Sequence, residues 1–222
     1  MRRRTLLSSA SGGGDGHEFV TIGGVKWATM NIGADTETDY GLYFQWGDTA
    51  GYTSGQVGSN STAYKKPFYR SDYKFNDGRT TWSATGMTKY NASDNKIVLD
   101  PSDDAARLHW GGNWRMPTIE EYQELTANTT STWETNYNGT GARGRLFTSK
   151  TDPNAKLFFP AASYCENGTF SMIGSYGDYW SSSLDTANKL RGRYQAFSSS
   201  NVYDGDYRNR YIGRTVRAVL DL

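Results

Sequence analysis

A chain of 222 residues is long enough to bury a sizeable core, and it fits one large domain or two small ones. Its 24 basic and 23 acidic side chains leave a net charge of +1, which argues against a general nucleic-acid-binding protein, because phosphate binding requires a clustered basic excess. Seven Trp and sixteen Tyr are spread along the chain, so we expect a folded protein rather than a disordered one.

The N-terminal segment, residues 1–16, is predicted to be a flexible tail. Three arginines, Arg2 to Arg4, precede a stretch of small residues that runs to Gly16. The apolar run within it is too short for a secretory signal peptide or for crossing a bilayer. We expect the tail to be solvated; an alternative is that its basic end contacts nucleic acid or attaches the protein to a larger assembly such as a phage tail.

The rest of the chain, residues 17–222, is predicted to form one domain. Residues 19–28 predict a β-hairpin, because a central Gly-Gly pair supplies the positive φ angles of a two-residue turn. The aromatic segment 41–47 predicts a buried strand or extended segment. Residues 48–95 show no clear periodicity and predict a large surface insertion with short strands.

Two helices are predicted in the middle of the chain. Residues 101–111 begin with a capping serine, Ser102, carry acidic residues in the first turn and end at a glycine. The second helix starts at Thr118, which forms a capping box with Glu121. A second hairpin is predicted across residues 146–159. Further strands are predicted at 179–182, 194–197 and 216–220, which together give an α+β domain with small antiparallel sheets and long loops.

The residue types that carry catalysis or bind metals are scarce and scattered. His17 and His109 have no metal-ligand spacing to each other or to Cys165, so no metal site is predicted. Cys165 has no oxyanion-hole signature beside it and is predicted to be an inert thiol. The acidic residues between 100 and 104 lack the spacing of an EF-hand loop and are interpreted as helix-capping residues. We therefore expect neither an enzyme nor a bound cofactor.

The C-terminal segment 198–213 has the composition of a binding loop. It is built mainly from Tyr, Ser, Gly, Asp, Asn and Arg, and it contains no Lys, Glu, Gln, Met or Trp. Tyr gives a large contact area with few rotatable bonds, and Ser, Gly and Asn give adaptable hydrogen bonds. Strand-like sequences flank it, as in a scaffold that presents a recognition loop. An ordinary solvated loop is the alternative on composition alone.

Four segments of the chain together resemble a known family. They are GLYFQWGD at residues 41–48, WGGNWRMPTIEEY at 110–122, GDYWSSS at 177–183 and RYIGRTVRAV at 210–219. In this order they resemble the Fibrobacter succinogenes major paralogous (FISUMP) domain of gut Bacteroidetes and their phages. That family is similar to the formylglycine-generating-enzyme branch of the C-type lectin fold, so the resemblance implies a C-type lectin-like domain over most of residues 17–222.

The C-terminal pattern is also similar to the variable proteins of diversity-generating retroelements. In those systems, adenines of a template repeat are mutated, mostly at Asn codons, which never yields Lys, Glu, Gln, Met or Trp. The resemblance implies a variable region at about 190–213, between scaffold positions that include Phe197, Val202, Arg210, Gly213, Val216 and Arg217. The implied ligand-binding positions are Arg193, Gln195, Ser198, Ser200, Asn201, Tyr203, Asp204, Gly205, Asp206, Tyr207, Arg208, Asn209, Tyr211 and Ile212. Gln195 departs from the expected residue types.

The resemblance implies an adhesin-like protein that binds a cell-surface protein or glycan, as in phage receptor binding, on a virion or a bacterial surface. A single cysteine cannot supply the paired cysteines of the formylglycine-generating branch. The calcium-dependent sugar-binding motifs of lectins are missing, so we expect calcium-independent binding. The alternatives are a carbohydrate-binding domain of fixed specificity and an enzyme whose site lies in residues 48–95.

This interpretation makes a specific expectation about burial. The scaffold should bury Trp27, Trp46, Trp110, Trp114, Trp180, Phe158 and Phe159, and the N-terminal hairpin should pair with residues 216–220. Every variable side chain should face solvent, so that it can change without cost to the core. The three tyrosines Tyr203, Tyr207 and Tyr211 would then be contact anchors.

Overall fold

The computed structural model describes residues 11–12, 16–57, 67–78 and 81–221. The predicted role of the Arg-rich start of the tail lies outside these residues, as do residues 58–66 and 79–80 of the predicted insertion. Within the tail, Ser11 and Gly12 pair with Phe19 and Glu18 as a short antiparallel strand.

The regular elements of the described residues are antiparallel strands and a few short helices, which confirms the α+β class. The first half contains strands β1 (Ser11–Gly12), β2 (Glu18–Ile22), β3 (Val25–Asn31) and β4 (Trp114–Arg115), and helices α1 (Ala105–Trp110) and α2 (Ile119–Asn128). The second half contains strands β5 (Thr129–Tyr137), β6 (Ala142–Ser149), β7 (Lys156–Pro160), β8 (Tyr164–Glu166), β9 (Thr169–Ser171), β10 (Gly177–Leu184), β11 (Arg191–Phe197), β12 (Val202–Asn209), β13 (Gly213–Arg214) and β14 (Arg217–Leu220). Single 3-10 turns lie at Ser54–Gln56, Arg70–Asp72, Ala84–Gly86 and Pro101–Asp103.

The largest sheet joins the two ends of the domain. Its strand order is β1-β2-β3-β14-β4, and every neighbouring pair is antiparallel. The β2–β3 hairpin turns between Ile22 and Val25, as predicted. Strand β14 pairs with β3 through Val219 and Trp27, which confirms the predicted pairing of the N-terminal hairpin with the chain end.

Three smaller sheets, of order β5-β6-β7, β13-β8-β9 and β10-β11-β12, complete the fold. The β6–β7 pair is the predicted second hairpin, and its strands extend beyond the predicted limits. The β10-β11-β12 sheet carries the predicted variable region, and α2 packs beside β12.

The capping box of α2 is present as predicted. The Thr118 hydroxyl accepts a hydrogen bond from the Glu121 amide at 3.3 Å, and the Glu121 carboxylate accepts one from the Thr118 amide at 2.7 Å. Because two otherwise unpaired amides are satisfied in this way, the helix has a defined start. Its buried face consists of Ile119, Tyr122 and Leu125.

The first predicted helix is shorter than expected and begins at another residue. Residues 101–103 form a 3-10 turn, and α1 follows only after Asp104. Asp104, rather than Ser102, is the cap: its backbone is extended, and its carboxylate accepts a hydrogen bond from the Arg107 amide at 3.0 Å. Pro101 favours the tight first turn, which interrupts the helix that the pattern predicted.

Nearly all of the expected aromatic core residues are buried. The fully buried members are Trp27, Trp46, Trp114, Trp180, Phe158 and Phe159. Trp110 is the exception, because it lies at the margin of the core, half-exposed, with the His17 ring stacked on it at 3.9 Å. Its burial prediction was wrong.

The segment 48–95 is not simply a surface insertion. Its described part contains 3-10 turns and isolated β-bridges instead of strands. It also buries aromatic side chains, among them Phe68, Tyr73, Phe75 and Tyr90, and the last three belong to the main core. Each of these rings is carried by a separate stretch of irregular backbone. Their burial therefore produces no hydrophobic periodicity in the sequence.

Candidate binding surface

The predicted variable region forms a strand where a loop was expected. Residues 202–209 are β12, an edge strand that pairs with β11 from Val202 opposite Phe197 to Asn209 opposite Arg191. Within the predicted variable region, the turn between the two strands and residues 210–212 are irregular. The surface is therefore stiffer than a polar loop would be.

A β-bulge at Gly205 determines which side chains share a face of the sheet. Asp204 lies opposite Gln195 and Asp206 lies opposite Tyr194, so Gly205 is the extra residue. Its φ of 150° is in the region that favours glycine, and a Cβ there would lie 2.7 Å from the Arg193 guanidinium. Beyond the bulge the alternation of side chains is therefore reversed.

Two tyrosines and one arginine of β12 face solvent, as expected. Tyr203 is 47% exposed and Tyr207 is 45% exposed, and Arg208 is exposed as well. By the strand register, Tyr203 and Arg208 share one face, and Tyr207 lies on the opposite face. The exposed edge strand thus presents an aromatic ring on each face and Arg208 on the face of Tyr203.

The other predicted positions fall into three groups: exposed, half-buried and buried. Ser200 and Asn201, in the turn, are exposed. Five positions are half-buried: Arg193, Asp204, Gly205, Asp206 and Asn209.

Four predicted positions are buried, so the expectation that every variable side chain faces solvent is wrong for them. Gln195 is 0% exposed, Tyr211 is 1% exposed, and Ser198 and Ile212 are buried too. Gln195 lies on the middle strand of its sheet, where both faces are covered, and its amide has no hydrogen-bond partner among the described residues.

Tyr211 is held by side chains from distant parts of the chain. Its ring packs edge-on against Trp82 at 5.1 Å, and the Arg70 guanidinium lies 5.5 Å from the ring centre. Its hydroxyl donates a hydrogen bond to the Glu166 carboxylate. Tyr211 is therefore part of the support beneath the surface and not one of its contact anchors.

The turn between β11 and β12 is anchored from below. The Ser198 hydroxyl accepts hydrogen bonds from the amides of Ser200 and Asn201, both at 3.3 Å. The buried Arg145 donates to the carbonyls of Ser198 and Asn201 at 2.9 and 2.8 Å. Sequence analysis missed Arg145, which lies more than fifty positions away on β6 and carries no local signal.

Side-chain contacts also pre-organise the exposed groups. The Arg191 guanidinium lies 3.8 Å from the centre of the Tyr207 ring and forms a salt bridge of 2.7 Å with Asp185. The Tyr194 hydroxyl donates a hydrogen bond of 2.9 Å to Asp206. Burial raises the pKa of Tyr194 to about 12, so this hydroxyl keeps its proton at neutral pH.

Side chains occupy part of the outer backbone edge of β12. Gln123 of α2 donates to the Asp204 carbonyl at 3.1 Å, and the Asp206 carboxylate accepts from the Tyr207 amide at 2.8 Å. Edge strands with free backbone groups tend to pair with other strands. Here those groups are partly taken, which favours recognition through side chains over addition of a strand.

Three buried arginines lie at the end of the region. Arg214 places its guanidinium 4.0 Å from the Tyr194 ring centre and 4.5 Å from that of Trp180. Arg217 donates to the Asn31 side chain at 2.9 Å and to the Phe158 carbonyl at 3.0 Å. Arg210, like Arg217, is fully buried, and burial lowers the pKa of both guanidinium groups.

The two histidines first considered for catalysis contact other groups, and the cysteine is buried. His109 bonds the Thr49 carbonyl at 2.9 Å, and His17 stacks on Trp110. Cys165 is buried, and burial raises the pKa of its thiol to about 12. Within residues 11–12, 16–57, 67–78 and 81–221, no group of three or more His, Cys, Asp or Glu side chains is placed to hold a metal ion.

Comparisons of the chain with family models, with curated proteins and with solved structures found no match. Among the helices of the described residues, none combines the length and the apolar character that crossing a bilayer requires. The functional evidence therefore comes from the β12 surface itself, an edge strand on which tyrosine and arginine side chains are next to aspartates.

Proposed function

We propose that this protein is an adhesin-like ligand-binding protein that recognises a protein or a glycan on a target cell surface. Its binding surface is formed by the exposed side chains of β12 and the adjoining turn, with Tyr203, Tyr207 and Arg208 as the principal contact residues. Its role is recognition rather than catalysis, and binding requires neither a cofactor nor Ca²⁺.

The observation that carries this proposal is the exposure of two tyrosines and an arginine on an edge strand whose support is buried. Tyr and Arg are the residue types most often found at the energetic centres of protein interfaces. The Arg191 stack holds the Tyr207 ring, and Arg145 holds the turn, so little side-chain entropy is lost on binding. A pre-organised surface of this kind suits specific recognition.

The proposal includes a C-type lectin-like fold and diversification of the C-terminal region by a retroelement. The implied scaffold positions Phe197, Arg210, Val216 and Arg217 are fully buried, which is what an invariant frame requires. The replaceable set is narrower than the resemblance implied, because substitutions at the buried Gln195, Ser198, Tyr211 and Ile212 would disturb the support. In the genome, a reverse-transcriptase gene and a near-copy repeat that differs at adenines should adjoin the coding sequence.

The rival is a carbohydrate-binding domain of fixed specificity that stacks sugars on aromatic rings elsewhere. The two functions differ in where specificity resides. In a variable protein, exchange of the β12 side chains changes or abolishes ligand choice, whereas in the rival it leaves sugar selectivity intact.

The experiment replaces Tyr203, Tyr207 and Arg208 together with serine and measures binding to a glycan array and to a panel of intact bacterial cells. We expect the native protein to select a subset of these targets and the variant to lose at least about a hundredfold in affinity, since interface anchors contribute about 2 kcal/mol or more each. Binding of the native protein should persist in the presence of a chelator of divalent cations.

The matched control replaces three exposed side chains outside the surface, Leu108, Met172 and Lys156, with serine. This variant should keep the native binding profile. Selective binding that survives in the β12 variant would overturn the proposal and favour the rival.

A further inference from the structure

A cavity of the described structure is lined by residues that lie outside β12. Its volume is about 310 Å³, at the lower end of the range for small-molecule pockets. It is lined by Gln45, Asp48, Ala50, Tyr52, Pro67, Phe68 and Asp72. None of these residues belongs to the predicted ligand-binding set, although Gln45 contacts the backbone of Tyr211.

The aromatic walls of this cavity are held in place. The Tyr52 and Phe68 rings meet edge to face at 5.9 Å. Tyr52 is fixed through its backbone, which exchanges hydrogen bonds of 2.9 and 3.0 Å with Tyr43. Phe68 is fully buried and packs against Gly213, where a Cβ would lie 2.7 Å from the ring. Phe68 is therefore a buried support, and the half-buried Tyr52 is the ring that a ligand in the cavity can contact.

Two of the polar side chains that line the cavity, Asp48 and Asp72, are carboxylates. Asp48 accepts a hydrogen bond from the Ala50 amide at 3.1 Å, and Asp72 accepts one from the Ser71 hydroxyl at 3.1 Å. Neither carboxylate forms an ion pair with any described residue, and none of the described residues that line the cavity is Lys, Arg or His. Asp103, by contrast, is bound by two lysines.

The buried Gln45 adds a further acceptor. Its side-chain amide nitrogen donates to the carbonyls of Tyr211 and Tyr69 at 3.0 and 3.3 Å. The side-chain oxygen Oε1 of Gln45 accepts no hydrogen bond from a described residue. Two carboxylates, the Gln45 side chain and aromatic residues thus line the cavity, and none of its described lining residues carries a positive charge.

We propose that this cavity binds an organic cation, namely the guanidinium or ammonium end of a short aliphatic chain such as an arginine or lysine side chain. Carboxylates bind such groups through charge-assisted hydrogen bonds, and aromatic faces attract them through the ring quadrupole. A bare metal ion would leave the aromatic wall unused, and its donors are not clustered here as a metal requires. The occupant is therefore a cation with an apolar stem.

The test is calorimetric titration of the full-length protein with N-acetylarginine N-methylamide and with its neutral counterpart, N-acetylcitrulline N-methylamide. We expect a Kd of about 1 mM or tighter for the arginine compound, as befits a ligand of this size. The citrulline compound has nearly the same shape without the charge and should bind at least about tenfold more weakly.

The variants Asp48→Asn and Asp72→Asn should each weaken binding of the arginine compound several-fold, and Tyr52→Leu should weaken it about threefold to thirtyfold. The matched control is Asp35→Asn, which removes an exposed carboxylate outside the cavity and should leave the Kd unchanged. Thermal melting of each variant verifies that it is folded.

Equal binding of the two compounds, no measurable heat at about 10 mM ligand, or unchanged binding in the Asp48 and Asp72 variants would overturn the assignment. Saturable Ca²⁺ binding that displaces the arginine compound would assign the site to a metal and would overturn it as well. Replacement of Tyr203, Tyr207 and Arg208 should leave this titration unchanged, so the two proposals can fail independently.

Discussion

Arg214 and Arg217 are buried with no carboxylate within salt-bridge distance among the described residues, although an isolated buried charge costs several kcal/mol. Backbone carbonyls and an asparagine satisfy Arg217, and aromatic faces surround Arg214. Each guanidinium bridges segments that are far apart in the chain. This explains in physical terms why the end of the domain can be rigid while the side chains of β12 are exposed.

Asp178 is the acidic counterpart of these arginines. It is 5% exposed, and burial raises the pKa of its carboxyl, while Arg214 opposes the rise. Because the folded-state pKa lies above the unfolded value of about 3.8, the protonated form is favoured by folding. Its contribution to stability is therefore present below the unfolded pKa and is lost as the pH rises through the folded pKa.

We predict that Asp178→Asn, which removes this titration, gains stability relative to the native protein as the pH rises from about 4 toward neutrality. The gain should level off above the folded pKa. Urea unfolding between pH 3.5 and 7.5 measures it, with the exposed Asp35→Asn as the control. A stability difference between native and variant protein that is independent of pH would contradict the assignment of a raised pKa.

At the scale of elements, the local patterns were readable from the sequence. The Gly-Gly turn of the first hairpin and the capping box of α2 both involve residues within four positions of one another. The turn needs residues that adopt positive φ angles, and the helix start needs acceptors for its free amides. In both cases the residues that meet the need are close by in the sequence. This is why the β2–β3 and β6–β7 hairpins and the second helix were predicted, while α1, capped by Asp104 after a separate turn, was misplaced.

Strand β12 could not be predicted for a different reason. Its residues are polar and lack hydrophobic alternation, and the bulge at Gly205 breaks the period of two that would mark a strand. Its strand conformation comes from pairing with β11 and from contacts with α2. Those contacts are tertiary, so composition indicated recognition but not backbone geometry.

The capping box permits a quantitative prediction for α2, the helix beside β12. Thr118→Ala removes the side-chain acceptor for the Glu121 amide, and we expect the free energy of unfolding to fall by about 1 kcal/mol. Thr118→Ser keeps the acceptor and should lie within a few tenths of a kcal/mol of the native value. Chemical denaturation followed by circular dichroism measures both. Equal losses in the two variants would show that packing of the Thr methyl group, not capping, is responsible.

At the scale of the whole molecule, residues of the same type differ in how deeply they are buried. Tyr203 and Tyr211 lie in the same segment, yet one faces solvent and the other is enclosed by Trp82 and Arg70. The enclosing residues come from the aperiodic segment 48–95, as do most of the residues that line the cavity beside Tyr52. Contacts between residues so far apart in the chain leave no regular pattern in the sequence. The cavity was therefore not predicted.

The same contrast gives a matched test of which positions the fold can replace. Tyr203→Ser and Tyr207→Ser remove exposed rings, so each should change the free energy of unfolding by no more than about 0.5 kcal/mol. Tyr211→Ser removes a buried ring and its hydrogen bond to Glu166, and it should cost at least about 3 kcal/mol. Urea unfolding of the three variants measures these values under identical conditions. A large loss at Tyr203 or Tyr207 would mean that β12 is part of the core's support, and exchange of its side chains could not then be tolerated by a binding scaffold.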